Sequence, residues 1–331
     1  MNLLVTGGCG FIGSNLMDHV IERDGVKALV NMDSLTYAAN PDNVQHLAAH
    51  LKYHFENADL RDKAAVRTIV SSHDITHVVH LAAESHVDRS IADPDAFIHT
   101  NVLGTFHLLE ACREAWGRDF ADRRFHHVST DEVYGSIEAG GAFTENSPYA
   151  PSSPYSASKA AADMLVRAYH RTYGFPAVIT NCSNNFGPRQ HAEKLIPVII
   201  ANVLQRRLVP LYGDGQQVRD WIFVRDHAEA LWQVLTRGRV GETYNIGARH
   251  EVPNRQLAGQ ICDLMDELAP QLGGNSCALI SSVKDRPGHD RRYALDPSKI
   301  AEELGWKAKA DFNEALRQTV QWYLTHPERL G

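Results

Sequence analysis

No stretch of this sequence comes near the ~20 consecutive apolar residues of a membrane span, so no spanning helix is expected. A basic leader with a cleavable apolar segment is also missing. The chain opens directly into Leu3-Leu4-Val5, and a cytoplasmic location is expected. Cysteine is sparse: Cys9, Cys112, Cys182, Cys262 and Cys277 are five in number, scattered, and without a CxxC pair. That pattern excludes a disulfide framework or a zinc site and reads as reduced thiols, with no metal expected. Positive charge is in deficit, with 33 Lys and Arg against 40 Asp and Glu, a net charge of -7 and a pI near 6.2. Nucleic acid is therefore not the expected partner, although a locally basic cleft could still hold phosphates. Internal repeats, low-complexity tracts and linkers are absent as well, which points to lobes packed closely on one another.

What is present is an ordinary globular composition, 44% hydrophobic and 22% charged, in 331 residues. Such a chain can bury a substantial core as one large domain or two closely joined ones. Leu3-Leu4-Val5 reads as a strand, and Gly7-Gly8-Cys9-Gly10-Phe11-Ile12-Gly13 follows at once. Apolar positions at Ile12, Leu16, Met17, Val20 and Ile21 then suit one helix face. A strand, a glycine-rich turn and a helix form the dinucleotide fingerprint. Glycine lets the backbone approach a pyrophosphate, and the helix start offers free N–H groups. Asp33 ends the next strand about 20 residues past the last glycine, where an acid accepts from ribose hydroxyls. A carboxylate there repels a 2′-phosphate, which favours NAD over NADP. A third strand, at about 52–55, leads to Asp59 and Leu60, at the place where such a fold meets adenine.

Val78 to Ala83 reads as a buried strand, with His77 and His80 on opposite faces and no metal between them. A helix is expected from about Ala96 to Trp116, with Thr100 near its start. Phe125 to Ser129 is the next strand and delivers Thr130, Asp131 and Glu132, a hydroxyl and two carboxylates, at its end. A proline-punctuated loop leads to Tyr155 and Lys159, which share one face of a helix running to about Tyr173. A nearby ammonium stabilises a phenolate, which makes Tyr155 a candidate base. Later strands are expected at Val178–Thr180, at Ile222–Val224 and at Tyr244–Ile246. Lys194, Arg219, Arg286 and Arg292 make the later loops locally basic, as a diphosphate-bearing ligand requires.

Taken together, GGCGFIGS, HLAAESHVDRSI, STDEVYG, YSASK, TNCSNNFGP, EKLIP, YGDGQQVRDWIFVRDHA, YNIG and DRPGHDRRYA resemble the extended short-chain dehydrogenase/reductase family. Within it, the chain is similar to the dTDP-glucose 4,6-dehydratases, the Asp-Glu pair being the discriminating piece. The resemblance spans nearly the whole chain. It implies an α/β fold with a Rossmann-type doubly wound parallel sheet. Residues 1–180, with a later contribution near 222–250, would hold NAD, and 181–331 would form most of a smaller α/β sugar-nucleotide lobe.

The resemblance further implies that Tyr155, helped by Lys159 and Thr130, oxidises a hexose C4 hydroxyl with NAD. Glu132 would take the C5 proton, Asp131 would protonate the departing C6 hydroxyl, and hydride would return to C6. It assigns Gly7, Gly10, Phe11, Ile12, Gly13, Asp33, Ser34, Leu35, Thr36, Asp59, Leu60, Leu81, Ala82, Ala83, Ser85, Thr100, Tyr155, Lys159 and Asn185 to NAD. The sugar nucleotide would meet Ser85, Thr130, Asn184, Lys194, Leu195, Pro210, Tyr212, Arg219, Asn254, Asp285, Arg286 and His289. A homodimer through paired helices, about 98–115 and 156–172, is expected. The chain departs from the family at Ser34, where a lysine is usual, at Ala39, and along Pro188-Arg189-Gln190-His191-Ala192-Glu193. UDP-, CDP- or GDP-linked hexoses or N-acetylhexosamines thus stay open beside dTDP-glucose. A dinucleotide-binding sensor without catalysis is the alternative of a different class, and the acid pair weighs against it.

Overall fold

The computed structural model describes residues 1–137 and 140–330. Its strands are β1 (Asn2–Thr6), β2 (Ala28–Asp33), β3 (Tyr53–Asn57), β4 (His77–His80), β5 (Arg124–Thr130), β6 (Ala177–Cys182), β7 (Asn184–Phe186), β8 (Val209–Tyr212), β9 (Val218–Phe223), β10 (Thr243–Ile246), β11 (Glu251–Pro253) and β12 (Ile280–Val283). Seven of them form one parallel sheet in the order β10-β6-β5-β4-β1-β2-β3. This is the expected Rossmann-type doubly wound sheet. Its inner strands are buried almost without interruption, as a sheet covered by helices on both faces requires. Strand alternation divides neighbouring side chains between the faces. Leu3 and Val5 join one core with Leu16, Val79 and Leu231, whereas Leu4 joins the other with Val66, Leu108, Phe125 and Phe175. The strand order reverses between β1 and β4, and the crevice at their C-terminal ends is where such folds hold ligands.

A separate apolar core lies later in the chain. The helices Leu195–Leu204, Asn254–Leu268 and Phe312–Thr325 pack Ile196, Ile199, Ile261, Leu316 and Tyr323 against Phe186 and Trp221. The small sheets β11-β9-β7 and β12-β8 border it. The chain does not pass cleanly from one core to the other, because β10 returns to the large sheet beside β6 after the excursion through β7 and β9.

Three expected elements differ in detail. The strand foreseen over residues 78–83 spans His77–His80, and residues 81–83 follow it without strand pairing. The helix foreseen over 96–116 consists of a short α-helical turn at Asp95–Phe97, a π-helical stretch at Ile98–Gly104 and a regular helix at Thr105–Trp116. Asn101 lies within the widened segment: its side-chain amide donates to Glu84 O and Ser158 Oγ, and its Oδ1 accepts the Glu84 N–H. These contacts hold the segment against its neighbours, and π segments recur at functional sites. The strand expected at Ile222–Val224 begins earlier, at Val218, and Val224 already starts a helix.

The helix Pro154–Tyr173 begins and ends on local chemistry. Ser153 and Ser156 form a reciprocal capping box, and Pro154 sits where no N–H is needed. Such a cap contributes about 1 kcal/mol. Gly174 ends the helix in the left-handed conformation at φ 66°. Its buried face carries Tyr155, Lys159, Ala162, Asp163 and Val166.

Candidate active site

One cleft of about 340 Å³ runs along the C-terminal ends of β1, β2, β4, β5 and β6. Gly7 sits at its floor with φ +73°, where an added Cβ would lie 2.9 Å from Ala82 Cα. At Gly13 a Cβ would come within about 2.3 Å of Gly7 O. The turn therefore closes so tightly that the helix Phe11–Val20 starts at the cleft. No side chain caps that helix start, and no acid stands in its first turn. Free N–H groups and the positive end of the helix dipole thus face the cleft, as a pyrophosphate requires. Asp33 is buried at the far wall, where its Oδ2 accepts Cys9 N–H at 2.9 Å and its Oδ1 accepts Leu35 N–H at 2.9 Å. Asp59 forms a two-pronged pair with Arg61, whose hydrogen bonds hold its carboxyl below the usual range.

Every residue assigned to NAD from the sequence lines this cleft except Leu35. The Leu35 side chain packs against the core of the large sheet, and its backbone, at φ 51°, turns to bond Asp33. It holds the acid in place from outside the cleft. Arg61, Glu84 and Ser183 also line the cleft without having been assigned from the sequence, and Gln190, His191 and Glu193 bring to it the segment that departs from the family pattern. For Glu193 a signal existed, since it precedes Lys194 directly.

The reacting end is built on β5 and the helix Pro154–Tyr173. Thr130 ends β5, and its Oγ1 accepts Glu132 N–H at 3.3 Å, capping the short turn Asp131–Tyr134. The same hydroxyl donates to Asp131 Oδ1 at 3.3 Å. Asp131 is 2% exposed, and its Oδ2 has no hydrogen-bond partner. Burial, then the neighbouring Glu132 charge, pushes its carboxyl well above the usual range. Burial also raises Glu132, but Arg219, Arg286 and Lys194 pull it back towards the charged form. Neighbouring acids are thus driven apart in proton affinity.

Lys159 is buried and donates to Val128 O at 2.9 Å. Burial lowers its proton affinity, and the Asp163 carboxylate acts the other way. Tyr155 is driven well above the ordinary phenol range, first by burial and then by Glu132, while a hydrogen bond with Thr130 acts the other way. Desolvation therefore outweighs the ammonium effect expected from the Tyr-Lys spacing.

Of the residues assigned to the sugar nucleotide, Ser85, Thr130, Asn184 and Lys194 line the cleft. Lys194 Nζ donates to Ser85 O at 3.0 Å and ties the later part of the chain to the strand end after β4. The others stand outside this cleft. Tyr212 on β8 donates to Asp88 Oδ2 at 2.9 Å, and Arg286 lies 3.6 Å from the same carboxylate. His289 meets Asp285 at 2.6 Å. Arg219 is buried on β9, stacked over Tyr293 at 4.2 Å, and its charge reaches both Asp131 and Glu132. Leu195 begins its helix, Pro210 is exposed on β8, and Asn254 begins the helix Asn254–Leu268 with its Oδ1 buried and unpartnered. No His, Cys, Asp or Glu cluster fit for a metal occurs among the described residues.

The fold and cleft define a dinucleotide-dependent enzyme of the short-chain dehydrogenase/reductase type. A profile of the GDP-mannose 4,6 dehydratase family matches residues 4–319. The dTDP-glucose 4,6-dehydratase of Neisseria gonorrhoeae is 52% identical over 338 residues, covering 99% of this chain and 97% of that protein. The crystal structure of DesIV, a dTDP-glucose 4,6-dehydratase from Streptomyces venezuelae with NAD bound, superposes with a TM-score of 0.91 at 44% identity. It covers 99% of this chain and 98% of its own. The Bacillus anthracis dTDP-glucose 4,6-dehydratase in complex with NAD gives 0.88 at 42% identity, with 99% and 98% covered. The chain belongs to the dTDP-glucose 4,6-dehydratase family.

Proposed function

We propose that the chain dehydrates dTDP-glucose to the 4-keto-6-deoxy sugar and that Thr130, Asp131, Glu132, Tyr155 and Lys159 carry the chemistry. The observation that carries this reading is the split between adjacent acids at the end of β5, beside a buried tyrosine and lysine. Oxidation of an alcohol alone needs only the tyrosine and the lysine. NAD bound in the cleft supplies a hydride acceptor at C4, a hydride donor at C6 and a cationic ring. Burial favours the phenol form of Tyr155; the cationic ring and the Lys159 ammonium would offset that cost, so that its phenolate takes the C4 hydroxyl proton while Thr130 holds that oxygen. The 4-ketone acidifies C5, and Glu132, held towards the charged form by three cations, takes the C5 proton. Asp131, whose burial favours the protonated form, gives its proton to the departing C6 oxygen, water leaves, and the resulting C5–C6 double bond would take the returned hydride at C6 and a proton at C5. Lys194, Arg219 and Arg286 meet the diphosphate.

The same reading divides labour along the chain, with 1–180 and the return near 222–250 holding NAD and 181–331 forming most of the sugar-nucleotide lobe. A homodimer is supported by Ile98, Leu103 and Met164, apolar residues 41–47% exposed on the helices expected to pair. Five free cysteines suit a reducing compartment such as the cytoplasm.

The test is incubation with a panel of nucleotide hexoses, reading the 4-keto product by its alkaline absorbance. Product from dTDP-glucose is expected. Turnover of a UDP- or GDP-linked sugar alone would move the substrate, and no product from any sugar would overturn the dehydratase reading.

A further inference from the structure

Residues 188–193 depart from the family pattern, and they bring the later part of the chain to the cofactor cleft. Gln190, His191, Glu193 and Lys194 line that cleft together with the glycine turn. The segment is fastened on three sides. Towards the second core, Tyr323 Oη donates to Gln190 O at 2.5 Å, and Gln190 Nε2 donates to Asn185 O at 2.9 Å. Towards the strand ends, Lys194 Nζ donates to Ser85 O at 3.0 Å, Glu193 lies 3.7 Å from Arg89, and His191 meets the Tyr37 ring edge-on at 5.6 Å. The third fastening is on the helix Phe11–Val20, whose start faces the cleft. Positions 15 and 18 follow Phe11 on one helix face. Asn15 Nδ2 donates to Pro188 O at 3.2 Å, and Asp18 Oδ2 lies 2.7 Å from Arg189 Nη1.

The Asp18 and Arg189 pair is a contact of charge, since Nη1 is buried but not aligned for a hydrogen bond. The side chains are 34% and 21% exposed, so water shields the pair only in part. The other Asp18 oxygen meets His46 Nε2 at 2.7 Å, and among the described residues no other acid pairs with Arg189. Arg189 holds a left-handed backbone at φ 73°, a conformation uncommon outside glycine. Such a conformation persists where the surroundings hold it. Neither Asp18 nor Arg189 lines the cleft.

We propose that Asp18 and Arg189 form a clasp: their pair holds the segment 187–194 down on the cofactor helix and so retains the reduced cofactor between the two hydride transfers. Both are positioning residues that act through the segment. The benefit rests on the dehydratase reading, because a hydride taken from C4 must still be at hand for C6. The retention itself does not depend on that reading.

The chain loaded with NADH is chased with excess NAD, and the decay of nicotinamide fluorescence gives the release rate. Asp18→Asn removes the charge at constant size, and Arg189→Asn removes it with a residue that tolerates the left-handed backbone. Each should release NADH about five-fold faster, because the other fastenings remain. The double variant should be no faster than either single one, and the exchange of Asp18→Arg with Arg189→Asp should slow release again. His46→Gln leaves the segment tied and should release NADH at the unsubstituted rate. Folded single variants within about two-fold of that rate overturn the proposal. Additive effects in the double variant overturn it too, as does an equal acceleration by His46→Gln, which would move the effect to residues 41–47. Should one charge variant not fold, the other and Arg189→Gln decide by the same criterion. Failure to turn over any sugar nucleotide would strike the dehydratase reading and leave the release rates standing, whereas unchanged release in an active dehydratase would strike the clasp alone.

Discussion

The acid–base cluster and the cationic loops stand side by side but are built in opposite ways. Asp131, Tyr155, Lys159 and Asp163 are buried, and fixed hydrogen bonds tie the helix Pro154–Tyr173 to consecutive residues of β5. Tyr212, Arg286 and His289 are held instead by contacts with Asp88 and Asp285, carboxylates that are partly exposed. The first region is set before any ligand arrives. The second carries its charges on pairs that water and salt can loosen, and under the proposed function a diphosphate would replace Asp88 as the partner of Arg286. On the proposed reading, chemistry sits where the dielectric is low and geometry is fixed, and the exposed part of the recognition surface sits where partners can be exchanged.

Substitutions separate the regions, starting with the largest effect. Tyr155→Phe should lower turnover by at least about 10³-fold, with NAD content unchanged, because it removes the group proposed to accept the C4 proton. Measurable C4 oxidation in that variant would assign the base elsewhere. Asp131→Asn should lower turnover by about 10²-fold while sparing C4 oxidation, so reduced cofactor should build up in the absorbance trace. Equal loss of both steps would refute the role given to Asp131. The pH profile comes next. Glu132 must be ionised to act, and burial raises its pKa, so activity present at neutral pH is lost as pH falls through that raised value. The acid limb of kcat/KM should thus lie above the ordinary Glu value of about 4.3. Arg286→Ala should raise KM about ten-fold with kcat little changed, and the difference should shrink in high salt. Finally, Arg291→Ala should leave both the melting temperature and the kinetics unaltered, because its partner Asp214 is exposed.

The glycine turn, Asp33, and the Tyr155 and Lys159 pair were legible because each depends on spacing within one short segment. The Asp131 and Glu132 pair was legible as a motif, but not the environment that separates the two acids. That separation comes from Arg219, Arg286 and Lys194, contributed by distant elements. The contacts of Asp163 gave no signal, since Ser129, Tyr149 and His127 reach it only once the sheet is assembled. The π-helical stretch was equally hidden. Over seven residues its apolar pattern does not differ from an α-helix, and the bonds Asn101 makes within it reach Glu84 and Ser158, which are distant in sequence. Leu35 was placed in the cleft by its neighbours in sequence, whereas its left-handed backbone turns it towards the core.

The return of β10 to the large sheet bears on how the chain is made. Strand β6 ends at Cys182, yet its outer neighbour spans Thr243–Ile246. Until those residues leave the ribosome, β6 is an open edge able to pair with another nascent chain. At ordinary rates of synthesis, roughly 5–20 residues per second, that exposure lasts several seconds. The sheet that receives the cofactor is thus completed late in translation, after the first strands of the smaller sheets have already emerged.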